Sequence, residues 1–139
     1  MRNTRLADKV KIVNCIVPTA GAATGMTETE VDCTGWDRVM YVLSTGAAAA
    51  GATIAFKVTE AAVTGGGGAW ADIASAASAG LTAAANASKV HVYDIAVNPA
   101  KPFQICVGVV GTDTFANSCI AILYKANGAK ANNYPVAST

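Results

Sequence analysis

Thr53-Ile-Ala-Phe-Lys-Val-Thr-Glu60 is the cleanest alternation in the chain, with Ile54, Phe56 and Val58 in one phase and Thr53, Ala55, Lys57 and Thr59 in the other. Successive strand side chains point to opposite faces, so this stretch predicts a β-strand with one packed and one wet face. Just before it, RVMYVLST (38–45) sets Val39, Tyr41 and Leu43 against Met40 and Val42. Both phases are apolar there, which predicts a strand central in its sheet. Upstream, VKIVNCIV (10–17) is a first strand stopped by Pro18, which has no N–H for a ladder. TETEVDC (27–33) alternates, and Thr34-Gly35-Trp36-Asp37 turns it into the next strand. Downstream, AWADIAS (69–75) reads as a short strand anchored by Trp70. KVHVYDIAV, PFQICVGVV and SCIAILYKA then close the fold as three β-branched and aromatic runs.

The connections are small. Gly46-AAAA-Gly51 is too short to nucleate a helix. Gly65–Gly68 reads as a flexible tip, and residues 74–88, ASAASAGLTAAANAS, as loop or irregular strand. Seven or eight short strands with no amphipathic helix indicate an all-β protein, an antiparallel β-sandwich. A jelly roll is one topology of that class, and periodicity does not separate it from an immunoglobulin-like order. The division is an N-terminal arm over 1–9, a sandwich over 10–126 and a C-terminal arm over 127–139. The expected core is Val13, Val39, Tyr41, Ile54, Phe56, Val58, Ile105, Val107 and Ile122.

Composition narrows function by exclusion. A chain of 139 residues is one domain by length and can bury a core without staples. Its formal charge of +1 lacks the basic excess that nucleic-acid binding draws on. No apolar run approaches the roughly 20 residues of a membrane helix, and the N-terminus lacks the apolar stretch of a signal peptide. A cytosolic site of assembly is expected. The charge is uneven: Arg2, Arg5, Lys9 and Lys11 against Asp8 leave +3 over the first eleven residues. Cys15, Cys33, Cys106 and Cys119 are too far apart for CxxC pairs and are expected as buried free thiols. A two-residue turn at Thr112-Asp113 would set Cys106 opposite Cys119.

Candidate chemistry is sparse. The lone His91 shares a phase with Tyr93 and Ile95, while Asp94 points the other way and cannot orient the imidazole for hydrolysis. Glu28, Glu30 and Asp32 fall at i, i+2, i+4 and read as a solvated or partner-facing stripe rather than a glycosidase pair or a calcium site. Asn86-Ala87-Ser88 is an incidental glycosylation sequon, and the glycines lack the lysine of a phosphate cradle. No catalytic residue, cofactor or metal is expected. Trp36 and Trp70, if exposed and adjacent, would favour a sugar-binding module.

The stretches TGWDRVMYVLSTGAAAAGATIAFKVTEA, GGGGAWADIASAA and YDIAVNPAKPFQICVGVVGTDTFANSCIAILYKA carry a resemblance over about residues 10–126. Their G-W-D-x-V strand entry, K-V-T-E-A strand, W-x-D-I strand and closing pair of apolar strands resemble the capsid decoration, or cement, proteins of short-tailed double-stranded DNA bacteriophages such as the Bordetella podophage. The resemblance implies a jelly-roll-like sandwich on the exterior of a virion capsid, assembled in the host bacterial cytoplasm. It also implies homo-oligomers clamping neighbouring major capsid protein subunits. A homodimer is expected over a trimer, since two-fold contacts are the commonest closed symmetry. Arg2, Arg5, Lys9, Lys11 and Tyr134 are the expected capsid contacts, with the basic residues lying outside the sandwich. A carbohydrate- or receptor-binding module of a phage tail or fibre is the alternative.

Overall fold

The computed structural model describes residues 9–21 and 28–125. Eight strands follow one another: β1 (Val10–Gly21), β2 (Glu30–Asp32), β3 (Arg38–Ala48), β4 (Thr53–Ala61), β5 (Ala71–Thr82), β6 (Val90–Ala96), β7 (Phe103–Gly111) and β8 (Phe115–Tyr124). A short 3-10 segment, Thr64–Gly68, and one helical turn, α1 (Ala83–Asn86), sit in the links. The two sheets have the orders β1-β8-β3-β6 and β2-β7-β4-β5. Strand 1 pairs with 8, 2 with 7, 3 with 6 and 4 with 5, as in one long antiparallel hairpin. Rolling that hairpin up adds the pairs β3–β8 and β4–β7. This is a jelly roll, and it resolves the topology that alternation left open.

The core lies between the sheets. Val39, Tyr41 and Leu43 of β3 stand beside Leu123, Ala121 and Cys119 of β8, and all six are fully buried. Facing them from the other sheet are Phe56 and Val58 of β4 and Cys106 of β7, while Ile54 packs with Ala52, Val110 and Phe115 in a second cluster. The Phe56 ring stacks on Tyr93 of β6 with centroids 5.0 Å apart. Two polar ties cross the core: Tyr41 Oη donates to Gln104 Oε1 at 3.0 Å, and the Tyr93 and Ser78 hydroxyls lie 2.7 Å apart.

Three expected core residues face outward. Ile105, Val107 and Ile122 are half-buried, while Gln104, Cys106, Gly108 and Val110 of β7 and Cys119, Ala121 and Leu123 of β8 point inward. The register explains the reversal. Directly paired residues share a face, so outward Lys57 carries Val107 with it, as Thr59 carries Ile105. Val13 is half-buried and packs against the core from β1.

The expected β7–β8 hairpin is also corrected. The two strands lie in different sheets, so residues 112–114 cross the sandwich and Cys106 meets Cys119 through the core rather than along a ladder. All four cysteines are free and buried. Burial, with Asp32 and Cys15 nearby, pushes the Cys33 thiol up to about 12. Hydrogen bonding with Cys119 and Cys15, together with burial, pushes Cys106 up as well. Thiolate is the reactive form, so the native protein should resist alkylation. After denaturation without reductant, mass spectrometry should find adducts on all four cysteines. Two missing adducts would reveal a disulfide.

Candidate interaction surfaces

The three carboxylates of the TETEVDC segment do not form a stripe. Only residues 30–32 are strand, and each carboxylate accepts from a different stretch of chain. Asp32 Oδ1 accepts the Thr34 N–H at 2.9 Å and tightens the turn after β2. Those hydrogen bonds with Thr34 hold its carboxyl below the ordinary value. Glu30 accepts the Thr64 hydroxyl at 2.6 Å and the Gly65 N–H at 2.7 Å. Glu28, in an isolated bridge with Ile16, accepts the Gly108 N–H at 3.2 Å, and burial raises its pKa. Each satisfies a turn or edge donor, so the acidic residues serve the backbone.

Glu30 also explains the glycine run. The expected flexible tip is an ordered 3-10 segment in which Gly65, Gly66 and Gly67 all take positive φ. Its Val63 and Gly66 carbonyls accept the N–H groups of Gly66 and Ala69. The Trp70 indole packs directly against the Cα of Gly66, which has no side chain to obstruct it. Trp70 is thus half-buried on its own loop, and Trp36 is 6% exposed. Neither is free to form the exposed stacking platform that sugar binding would use.

His91 faces inward with Tyr93 and Ile95, opposite in phase to Asp94, as the alternation implies. Asp94 instead pairs with Arg38 through Nη2–Oδ2 at 3.0 Å and Nε–Oδ1 at 3.1 Å, and Tyr124 Oη donates to Asp94 at 2.8 Å. The guanidinium, then the phenol, hold the Asp94 carboxyl below the ordinary value. Among the described residues no group of three or more His, Cys, Asp or Glu side chains is placed to hold a metal. No described helix is long and apolar enough to cross a membrane.

Of the expected capsid contacts, Arg2, Arg5 and Tyr134 lie outside the described residues, as do the arms except Lys9. Lys9 precedes β1 and is half-buried. Lys11 was expected outside the sandwich but belongs to β1, paired with Leu123 and half-buried. The strand reaches back that far because Val10 and Tyr124 are still partners. Chain therefore enters and leaves the sandwich side by side, at Lys9 and Lys125, at the end that also holds the β2–β3, β4–β5 and β6–β7 links.

A surface that sequence reasoning did not single out is the outer face of the β1-β8-β3-β6 sheet. The register sets Ile12, Ile122, Met40 and Asp94 in one cross-strand row and Asn14, Ile120, Val42 and Val92 in the next. Ile12, Val90 and Val92 are 61%, 61% and 56% exposed. Its signal was the double apolar phase of residues 38–45, which predicts a strand central in its sheet; β3 is central, between β8 and β6, and the jelly roll leaves one of its two apolar phases outside.

No protein-family model and no curated protein matches the chain. Among solved structures it is similar to one described as the structure of infectious bursal disease virus Gx strain, with a TM-score of 0.48, 13% identity and coverage of 93% of this chain. The chain spans about a third, 34%, of the length of that neighbour.

Proposed function

We propose that this chain is a non-enzymatic structural protein of a phage virion, decorating the exterior of an icosahedral capsid and clamping neighbouring major capsid subunits. The observation that carries the reading is that β1 begins and β8 ends side by side, as hydrogen-bonded neighbours, at one end of the sandwich. Chain leaving the sandwich side by side there would contact two subunits while the body sits over their junction. The cross-sheet ties and stapled loops provide a stiff body, and repetition over a lattice raises effective concentration so that each contact can be weak. The resemblance of the strand signatures to cement proteins points the same way, and jelly rolls recur in capsids, although fold alone does not fix function.

The basic N-terminal residues supply the electrostatic part of the grip. Exposed ion pairs are worth only about 0–1 kcal/mol each and are screened by salt, so several must act together. Full-length protein mixed with empty shells of the phage that encodes it should co-sediment with them. A chain lacking residues 1–9 should keep its β circular-dichroism spectrum and lose occupancy increasingly as salt is raised. Failure of the full-length chain to co-sediment at low salt would overturn the capsid reading. Equal retention of both chains across the salt series would remove the arm from it.

A further inference from the structure

We infer that Cys106 and Cys119 are an oxidative cross-link site, whose thiols join under oxidising conditions in a disulfide that ties the two sheets together through the core. The four cysteines come from four separate stretches of chain: Cys15 on β1, Cys33 just after β2, Cys106 on β7 and Cys119 on β8. All four are fully buried, and all four lie close to the Tyr41 side chain. The Cys106 thiol is in hydrogen-bonding contact with Cys119 and with Cys15. A cysteine that only fills volume, as a small hydrophobe, needs no second thiol beside it. Here residues far apart in the sequence converge on one place, and three of the thiols touch.

The fold favours Cys119 as the partner. Cys106 belongs to one sheet and Cys119 to the other. Their inward neighbours Gly108 and Ala121 are small, so little bulk holds the sheets apart at this level. A bridge between facing sheets is the one that immunoglobulin sandwiches use, so the architecture accommodates S–S geometry. Cys15 is less well placed, because it is the extra residue of a bulge between the pairs Asn14–Ile120 and Ile16–Cys119. Its thiol donates to the Val13 carbonyl at 3.6 Å, whereas Cys119 has a longer 3.8 Å contact with the Ile120 carbonyl. With hydrogen peroxide as the oxidant, one thiolate attacks the O–O bond, becomes a sulfenic acid and releases hydroxide, which takes up the proton that the thiol lost. The second thiol attacks the sulfenic sulfur and displaces its oxygen as water. Two S–H bonds are replaced by one S–S bond, and peroxide is reduced to two waters. Contact with Cys119 and Cys15, together with burial, pushes the Cys106 thiol up, so thiolate is scarce and the reaction takes on the order of hours. The use of the link rests on the proposed virion role: assembly in a reducing cytosol keeps the thiols free, and release to aerobic surroundings oxidises them.

The full-length chain, purified under reductant and then moved into hydrogen peroxide, tests this without a capsid, so its failure is distinct from failure of the capsid reading. The folded protein is oxidised over hours and digested without reductant, with cleavage at Asp113 to part the two cysteines. Mass spectrometry should find the Cys106 peptide joined to the Cys119 peptide, lighter than the pair by two hydrogens, with Cys15 and Cys33 unlinked. The urea midpoint of the oxidised chain should rise by roughly 1–2 M and return on reduction, because the link constrains the unfolded chain. Cys119→Ala should lose both the link and the rise, and Cys15→Ala should keep both. The wild-type digest decides the matter by itself if either variant fails to fold. Four unlinked cysteines after oxidation, sulfinic acid at Cys106 in place of a link, or a link from Cys106 to Cys15 would overturn the inference. So would links formed only between separate chains.

Discussion

Phe56→Ala is expected to destabilise the protein by about 3–5 kcal/mol, the usual range for removing a buried aromatic ring. Phe56 is 1% exposed on β4, a central strand with β5 on one side and β7 on the other. Its ring is stacked on Tyr93, which belongs to the opposite sheet. Truncation thus removes apolar contact, empties a ring-sized volume and takes away an aromatic pair worth about 0.5–1.5 kcal/mol beyond its area. The framework cannot readily close the gap, because β4 is held by ladders on both sides. Against a typical total stability of about 5–15 kcal/mol, the loss moves the unfolding transition substantially. Urea unfolding of both proteins at one protein concentration is the measurement, since any association would add to apparent stability. A change under about 1 kcal/mol with an unaltered slope would mean that neighbouring side chains refill the site.

Phe56 was legible in the sequence because the opposite phase of its strand is polar enough to identify the core side. β7 shows where that logic ends. Its outward residues Phe103, Ile105, Val107 and Val109 are more apolar than its inward residues Gln104, Cys106, Gly108 and Val110. Local alternation therefore points the wrong way, and only the pairing with β4 sets the face. β8 repeats the problem. Its inward Cys119 and Ala121 are small, and the register places them beside Leu43 and Tyr41, whose larger side chains take the core volume. The outward Ile122 reads as core because it is larger and more apolar than the inward Cys119 and Ala121 that precede it.

The edge strand β5 was half legible. Residues 71–75 read as strand, but the remainder, composed of Ala, Ser and Gly, offers few apolar anchors: Ala76 is fully buried, and Ile73 and Leu81 are partly so. Two shifts of register against β4 break what alternation there is. The carboxylates were misjudged for a different reason. Spacing shows which face of an ideal strand a residue takes, but not that the strand is three residues long or that its neighbours end in unpaired N–H groups. Long-range pairing of Glu30 with the Thr64 hydroxyl and Gly65 N–H, or of Glu28 with the Gly108 N–H, has no local signature.

Gly66→Ala should be far more disruptive than Gly65→Ala, although both glycines have almost the same backbone geometry. Their φ values are 71° and 69°, and for an alanine that left-handed conformation costs about 1–2 kcal/mol at either site. The surroundings differ. A Cβ on Gly65 meets open space, whereas a Cβ on Gly66 runs into the Trp70 indole at Nε1, Cε2 and Cδ1. The ring cannot yield by a small rotation, since three of its atoms are in the way, so it must leave its seat. The Thr64–Gly68 turns and the hydrogen bonds to Glu30 then lose the packing that supports them. Gly65→Ala should lower stability by about 1–2 kcal/mol with the Trp70 environment intact, and Gly66→Ala by about 2–4 kcal/mol, within the usual range for strain and lost packing. Tryptophan emission separates the two effects: it should shift to the red in Gly66→Ala and stay in place in Gly65→Ala. Trp70→Ala made alongside Gly66→Ala should add little, because the substitution at 66 has already displaced the ring. Equal losses in the two single variants, with emission unchanged in both, would show that Trp70 is not seated on the glycine run and that the loop is the flexible tip its composition first suggested.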